Sequence, residues 1–261
     1  MAPETETKQC LNCFATNTGN FCSNCGQDRN VKIIHFEDIF HQLFQVFTPW
    51  NNKWGYNLKE IMLRPGLTSH KYLRGERVRY FQPIGSLLGI VAVYLLVAHF
   101  FDYDIMKDGF DAQELNAKAS PDDIKVNKAM VVFAEKFDKF FDYWEVIFIM
   151  SSSVVSYVVF RKTQLTFGEH IIFNSIVGVG ELVIIIVLIP WAVLNSEVDF
   201  FVVSPILIGY NFFAFFQFFK PYYTSNTKLI VRVISQIIIA QLLAFMFILI
   251  PFLGFLIAEY A

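Results

Sequence analysis

The sequence predicts an all-α fold: a polytopic helical membrane bundle with a small N-terminal zinc knuckle. Of the 261 residues, 55% are hydrophobic and only 17% are charged, whereas charged residues make up about 25% of an ordinary soluble domain. The apolar residues are concentrated in long runs that hold few or no charges, and about 20 helical residues suffice to cross a hydrocarbon core roughly 30 Å thick. All four cysteines lie near the N-terminus in two Cys-x2-Cys pairs.

The cysteine pairs predict a cytoplasmic zinc knuckle within residues 1–30. Cys10 and Cys13 form one pair, and Cys22 and Cys25 form the other. Each pair places two thiolates on one tight turn, and two facing turns form the tetrahedral S4 site that Zn²⁺ favours. Four protein ligands leave no open position for a substrate, so the zinc is expected to be structural. Two disulfides or a redox-active pair are the alternatives, but disulfides are rare in the cytoplasm and a thioredoxin-like motif needs a βαβ context.

Residues 31–83 are expected to form cytoplasmic amphipathic and juxtamembrane helices. An apolar stripe from Phe36 to Phe47 recurs at helical spacing, and a short helix over 56–64 is expected to end at Pro65-Gly66. Basic residues follow in segment 70–83, where they are candidate contacts for anionic lipid headgroups or a signal for membrane topology: Lys71, Arg74, Arg77 and Arg79.

Residues 84–261 are expected to form the membrane domain. About five apolar runs are long enough to be spans, and the last of them contains Pro251. That run is either one tilted, kinked helix or a span to about Ile250 followed by an interfacial turn. The five predicted spans cover residues 84–101, 143–160, 171–194, 200–219 and 229–258.

The distribution of basic residues predicts the orientation. Lys and Arg are enriched in cytoplasmic connections near span ends. Basic residues stand before the first predicted span, after the second and after the fourth, whereas the connection 195–199 has none. The chain is therefore expected to be a multi-pass protein of the bacterial inner (cytoplasmic) membrane, with its N-terminus in the cytoplasm and its C-terminus outside.

A group of polar residues within the third span is a candidate functional site. At about 100° per residue, His170, Asn174 and Glu181 share one helical face, and Glu169 precedes His170. A charged carboxylate inside a membrane costs at least about 2.5 kcal/mol, so such residues are candidates for function. The group could line a polar path or a ligand pocket, or it could hydrogen-bond across helices as a structural contact. The expected partners of Glu181 are Tyr210, Gln217, Gln236 and Gln241.

The overall charge argues against one class of partner. A formal net charge of −2 lacks the basic excess typical of nucleic-acid binders, so no nucleic-acid partner is expected. The expected partners are the lipid bilayer, an anionic lipid and a cytoplasmic protein. The sequence is also compatible with an oligomer.

Three sequence segments carry a family resemblance. They are the cysteine knuckle ending in Cys25-Gly26-Gln27, the Leu63–Gly66 motif L-R-P-G, and the Tyr72–Pro83 motif Y-L-R-G-E-R-V-R-Y-F-Q-P. With F-G-E-H opening an apolar helix further on, the chain resembles an uncharacterised family of bacterial inner-membrane proteins, a domain of unknown function. The resemblance implies topology and a zinc knuckle but no chemistry. Phe14 departs from it, because glycine often follows the second cysteine of such knuckles.

Three functions compete on this basis. The first is an integral membrane binding or scaffold protein whose zinc knuckle recognises a cytoplasmic partner. The second is a small transporter or channel that uses Glu181 and His170. The third is a membrane-embedded enzyme that acts on a lipid-linked substrate, with Glu169 and His170 as acid and base and with Arg77 and Arg79 on phosphate. No nucleophile motif or phosphate-binding loop supports the third, so an enzyme is the least favoured.

Overall fold

A computed structural model describes residues 8–17, 19–31, 54–101, 144–194 and 200–260. The predicted amphipathic helix over 36–47 and the connection 195–199 lie outside these residues. The described chain is mostly helical, and its non-helical N-terminal cysteine segment contains a short antiparallel pair of strands, β1 (Lys8–Gln9) and β2 (Thr16–Asn17). The α-helices are α1 (Trp54–Leu63), α2 (Pro65–Leu73), α3 (Pro83–Phe100), α4 (Trp144–Val159), α5 (Phe167–Leu194), α6 (Phe200–Phe219) and α7 (Asn226–Tyr260).

The helices confirm the prediction of a polytopic helical membrane bundle. Three of them, in the part of the chain that the structure describes, are long and apolar enough to cross a membrane: α3, α5 and the segment of α7 from Asn226 to Phe247, with mean hydropathies of 2.0, 2.6 and 2.1. The apolar part of α4, Val146–Val159, is shorter. Large apolar side chains remain exposed on the outer faces, as lipid-facing helices require. The count of five spans and the choice of membrane stay predictions.

Helix α5 lies at the centre of the bundle and packs against five other helices, α1, α2, α3, α4 and α6. Apolar residues lie on every side of this helix and are interrupted by only a few polar ones, which is typical of a helix surrounded by protein, and its residues from Ile171 to Leu182 are buried. Two glycines allow close packing: a Cβ atom on Gly178 would collide with the side chain of Ile149 in α4, and one on Gly180 with Tyr210 in α6. Small residues at helix contacts permit such approach.

Helix α7 is one continuous helix that passes through Pro251. It packs against α4 and α6. The contact with α4 is formed by large residues of α4 and by Ala240 and Ala244 of α7, which are fully buried. The helix therefore agrees with the first of the two alternatives for this segment, a single helix rather than a helix followed by a turn.

Helix α2 begins where the sequence predicted only a helix end. Pro65 follows the last residue of α1 by two positions and occupies the first turn of α2, where its fixed φ and missing N–H are well tolerated. The side chain of Gln217 in α6 caps this new helix, because its Oε1 accepts hydrogen bonds from the backbone N–H groups of Gly66 at 2.8 Å and Leu67 at 3.2 Å. The Pro65-Gly66 pair thus forms a corner between two helices.

Several basic segments meet at one end of the bundle, which we call the basic end. It comprises α2, residues 160–167 and residues 219–229. The ring centroids of His70 and Tyr222 are 5.8 Å apart, those of Phe160 and Tyr223 are 6.2 Å apart, and the Arg232 guanidinium donates to the carbonyl oxygen of Val159. The basic residues before α3, after α4 and after α6 therefore gather on the same side of the apolar helices.

Candidate functional site

The four cysteines form a compact cluster that could hold a metal ion. The Sγ atoms of Cys10 and Cys25 lie 3.6 Å apart, as do those of Cys13 and Cys22, and all four lie within 4.8 Å of one another. A tetrahedral S4 site with Zn–S bonds of about 2.3 Å has S–S separations of about 3.8 Å. A disulfide would need about 2.05 Å, and all four cysteines are free. The cluster therefore has the dimensions of a metal site.

Two equivalent turns present the cysteines. In the first turn, the Phe14 N–H donates to the Cys10 carbonyl oxygen at 2.9 Å, and in the second, the Gly26 N–H donates to that of Cys22 at 2.8 Å. Phe14 has a φ of 61° and Gly26 a φ of 74°. Phe14 thus adopts the left-handed conformation that glycine takes in the second turn, at a cost of roughly 1–2 kcal/mol, so its departure from the family pattern does not disrupt the turn.

Asparagine occupies the same position in both Cys-x-Asn-Cys turns, and each asparagine reaches the opposite turn. The side chain of Asn12 hydrogen-bonds to Cys25, and that of Asn24 hydrogen-bonds to Cys13. The N–H of Ala15, together with Asn24, lowers the pKa of Cys13 to about 6. Sulfur atoms this close repel one another as thiolates, so the arrangement calls for a cation between them.

The cysteine turns are fastened to residues 74–81, which we call the docking loop. The backbone N–H of Val78 donates to Gln27 Oε1, and that of Arg79 donates to Asn12 Oδ1, both at 3.1 Å. Gln27 is only 4% exposed. Gly75 has a φ of 112°, and a Cβ atom there would lie 2.9 Å from the Leu11 side chain. Because Pro83 begins α3 shortly after the loop, the cysteine cluster is held near the start of an apolar helix long enough to cross a membrane.

The four predicted lipid contacts have different environments. Arg79 donates from Nη2 to the Tyr56 hydroxyl at 2.6 Å, and its guanidinium lies 5.1 Å from the centroid of that ring. Arg77 lies 5.9 Å from the centroid of the Tyr72 ring. Arg74 is exposed and Lys71 is half-buried at the end of α2. Two of the four therefore hold the docking loop against α1 and α2, and lipid contact stays a prediction for the set.

Glu169 belongs to the start of α5 rather than to a catalytic pair. Its Oε2 accepts a hydrogen bond from the Thr166 N–H at 2.7 Å, and the Glu169 N–H donates to Thr166 Oγ1 at 3.2 Å. This reciprocal arrangement is a capping box. The Thr-x-x-Glu spacing in the sequence would have predicted it.

His170 and Asn174 belong to a polar network that joins α4, α5 and α7. His170 Nδ1 lies 2.9 Å from Ser156 Oγ, and Asn174 Nδ2 donates to the same oxygen at 3.2 Å. Asn174 Oδ1 accepts from Ser152 Oγ at 2.7 Å, and Ser152 Oγ in turn accepts from Gln236 at 2.8 Å. The Ser-Ser-Ser-x-x-Ser pattern of α4, a polar interruption in an apolar run, was the sequence signal for this network.

Glu181 lies apart from that network. It shares the helical face of His170, but 11 positions separate the two residues, or about 16 Å along the helix axis. Its Oε1 accepts a hydrogen bond from Asn211 of α6, a residue that the sequence analysis did not single out. Of the expected partners, Gln217 caps α2 and Gln236 donates to Ser152. The Tyr210 hydroxyl donates to the Ile61 carbonyl oxygen at 3.1 Å, and Tyr210 also lies close enough to Glu181 to interact with it electrostatically. The structure therefore separates the predicted polar site into two.

Comparison with known proteins locates one similarity. A family model described as "Protein of unknown function (DUF3667)" matches residues 53–95, which hold α1, α2, the docking loop and most of α3. No curated protein and no solved structure matches the chain. Over this segment, which contains the motifs L-R-P-G and Y-L-R-G-E-R-V-R-Y-F-Q-P, the chain is similar to a family of unknown function.

Proposed function

We propose that this protein is an integral membrane binding protein, a scaffold whose cysteine cluster holds a structural zinc ion and recruits a cytoplasmic protein to the membrane surface. The observation that carries the proposal is the attachment of the cysteine turns to the docking loop. Asn12 and Gln27 make that attachment, and it places the turns at the beginning of α3.

Zinc is supported by the ligand set. Four thiolates at tetrahedral spacing are typical of zinc or iron–sulfur sites, and a single ion at the centre of four sulfurs is typical of structural zinc. A cytoplasmic location would keep the cysteines reduced. The basic end, which carries the cluster, is the side that the positive-inside rule assigns to the cytoplasm, and for a bacterial protein the membrane would be the inner one.

A recognition surface is supported by two exposed aromatic side chains on the cysteine turns. Phe14 and Phe21 are each 65% exposed, and neighbouring Leu11 is 48% exposed. Exposed aromatic residues on a rigid support are frequent anchors in protein interfaces. The left-handed backbone of Phe14 and the metal-bound turns would hold these side chains in place before a partner arrives, which reduces the entropy cost of binding.

The polar residues of the bundle give less support to the other functions. His170 and Glu181 are 0% and 4% exposed, so both residues are buried inside the bundle in this conformation. Glu169 caps α5 and does not pair with His170 as an acid and base would. These contacts favour the structural reading of the intramembrane polar residues over transport or catalysis.

The experiment compares partner capture by two variants of the full-length protein in native membranes. The first is Phe14→Asn with Phe21→Ser, in which Asn suits the left-handed backbone. The control is Leu63→Ser, which removes another exposed apolar side chain, 59% exposed, from α1. After photo-crosslinking and mass spectrometry, we expect one crosslinked protein to be lost in the first variant and retained in the control, with zinc content unchanged. Identical crosslinked proteins in wild type and both variants would refute recruitment through this surface.

A further inference from the structure

A second candidate binding site lies at the basic end, between the end of α4 and the start of α7. It is a cavity of about 500 Å³ that no predicted site included. The cavity is open to the outside of the bundle. Its walls are formed by Lys162, Tyr223, Thr227, Lys228, Val231 and Arg232.

The cavity is strongly positive. Three of its six lining residues, Lys162, Lys228 and Arg232, are cations, and none is acidic. Helix α7 begins beside it, with Ser225 at the cap position, where Ser225 Oγ accepts from the Lys228 N–H at 3.4 Å. The start of a helix carries a partial positive charge and free N–H groups that favour phosphate. The cationic side chains and the N-terminus of α7 therefore both favour a negatively charged ligand.

The cavity has a fixed wall. The Arg232 guanidinium donates to the Val159 carbonyl oxygen and lies 5.5 Å from the centroid of the Tyr223 ring. Tyr223 in turn packs edge-on against the buried ring of Phe160. The Tyr223 hydroxyl is buried and has no hydrogen-bond partner among the described residues. A polar group of this kind is usually satisfied by a ligand or by water.

An apolar stripe begins directly beside the cations. Val231, Ile234 and Ile238 of α7 are 58%, 45% and 53% exposed, and their spacing places them along one side of the helix. A positively charged cavity at the boundary of a lipid-facing stripe suits an amphiphile with a phosphate group at one end. Basic pockets at the ends of membrane helices bind such headgroups.

We propose that this cavity binds the phosphate headgroup of an anionic phospholipid, with an acyl chain along the stripe of Val231, Ile234 and Ile238. Lys162 and Lys228 would neutralise the phosphate. This site differs from the predicted lipid contacts on α2 and the docking loop, and it does not depend on the cysteine cluster.

The test measures binding of fluorescent phosphatidylglycerol to the full-length protein in neutral detergent, with fluorescent phosphatidylcholine as the comparison lipid. The test variant is Lys162→Gln with Lys228→Gln. The matched control is Lys59→Gln with Arg64→Gln, which removes two exposed positive charges from α1 and the corner after it.

We expect the test variant to weaken phosphatidylglycerol binding by about 30-fold, because each basic side chain near the headgroup contributes roughly a factor of five. The control should change it less than twofold. Equal losses in test and control variants would show only bulk charge attraction and would overturn the proposal. Equal affinity for the two lipids would also overturn it, and so would displacement of the lipid by millimolar inorganic phosphate, which would indicate a soluble phosphate ligand instead.

Discussion

Asn12 connects a cysteine of the four-cysteine cluster to the backbone of Arg79. Its carboxamide hydrogen-bonds to Cys25 and also accepts a hydrogen bond from the Arg79 N–H at 3.1 Å. Residues that hydrogen-bond to metal ligands contribute strongly to the affinity for the metal. Here the same residue also orders the docking loop, so binding of the metal and order in the loop are expected to be coupled.

The first prediction concerns metal content. We expect one zinc ion per chain in the purified full-length protein, measured by plasma mass spectrometry. Cys22→Ser with Cys25→Ser should reduce it to below one tenth, because two ligands of a tetrahedral site are lost. Ser175→Ala, which alters a buried hydroxyl of α5 far from the cysteines, is the control. Full zinc content in the double variant would exclude this cluster as the site.

The second prediction separates the two roles of Asn12. Asn12→Ala and Asn24→Ala each remove a hydrogen bond to a cysteine, so each should weaken zinc binding about 10-fold to 100-fold. Only Asn12→Ala should also accelerate hydrogen exchange of the Arg79 amide, because that amide loses its acceptor. Both quantities are measured on the same samples, by competition with a zinc indicator and by exchange mass spectrometry. With zinc saturating both variants, matching exchange would contradict a direct role of the Asn12 side chain in ordering the docking loop.

The third prediction concerns the contact of α2 with α6. A Cβ atom on Gly66 would collide with the backbone of Gln217 and Phe218. Glycine to alanine in a helix is ordinarily favourable by up to about 1 kcal/mol, but Gly66→Ala should instead lower the free energy of unfolding by about 1–3 kcal/mol, as overpacking does. Gly55→Ala is matched to it, since Gly55 is also the second residue of its helix and no atom lies within 4 Å of an added Cβ. Measured in mixed detergent micelles, the free energy of unfolding should fall for Gly66→Ala and rise for Gly55→Ala.

The fourth prediction concerns pH. His70 Nε2 lies 2.7 Å from the Phe218 carbonyl oxygen, which can only accept, so the neutral ring donates from Nε2. Burial lowers the pKa of His70, the hydrogen bond to Phe218 opposes this and the charge of Arg74 adds to it. Because the folded pKa lies below the unfolded value of about 6.5, the unfolded chain takes up the proton first, and stability is lost as the pH falls below about 6.5.

The measurement for His70 is the melting temperature in detergent between pH 8 and pH 5. His70→Gln retains a donor for Phe218 but does not titrate, so its melting temperature should fall less steeply over this range than that of the wild type. Parallel curves for the two proteins would show that His70 does not contribute to the pH dependence.

The fifth prediction concerns the polar network. Asn174 makes two hydrogen bonds to α4, with Ser152 and Ser156. Single bonds between membrane helices average about 0.6 kcal/mol and reach about 1.7 kcal/mol. Asn174→Ala should therefore lower the free energy of unfolding by about 1–3 kcal/mol in a detergent titration. Ser235→Ala, at a half-buried position of α7 whose hydroxyl donates to the Val231 carbonyl oxygen of its own helix, should change it by less than about 0.5 kcal/mol.

The sequence by itself determined the class of the fold and the clustering of the four cysteines. Long apolar runs have few alternatives, because backbone groups in lipid must be hydrogen-bonded within a helix. Two Cys-x2-Cys pairs similarly determine the turns that carry them. The capping box of Thr166 and Glu169 was equally local and could have been predicted.

The tertiary structure alone decided which distant side chains meet. Asn12 and Arg79 are 67 positions apart, and Gly66 and Gln217 are 151 apart. Helical periodicity shows which face a residue occupies, but it does not show which helix lies opposite or at what height. For that reason His170 and Glu181, on one face in the sequence, have separate partners in the bundle: Ser156 of α4 for His170 and Asn211 of α6 for Glu181.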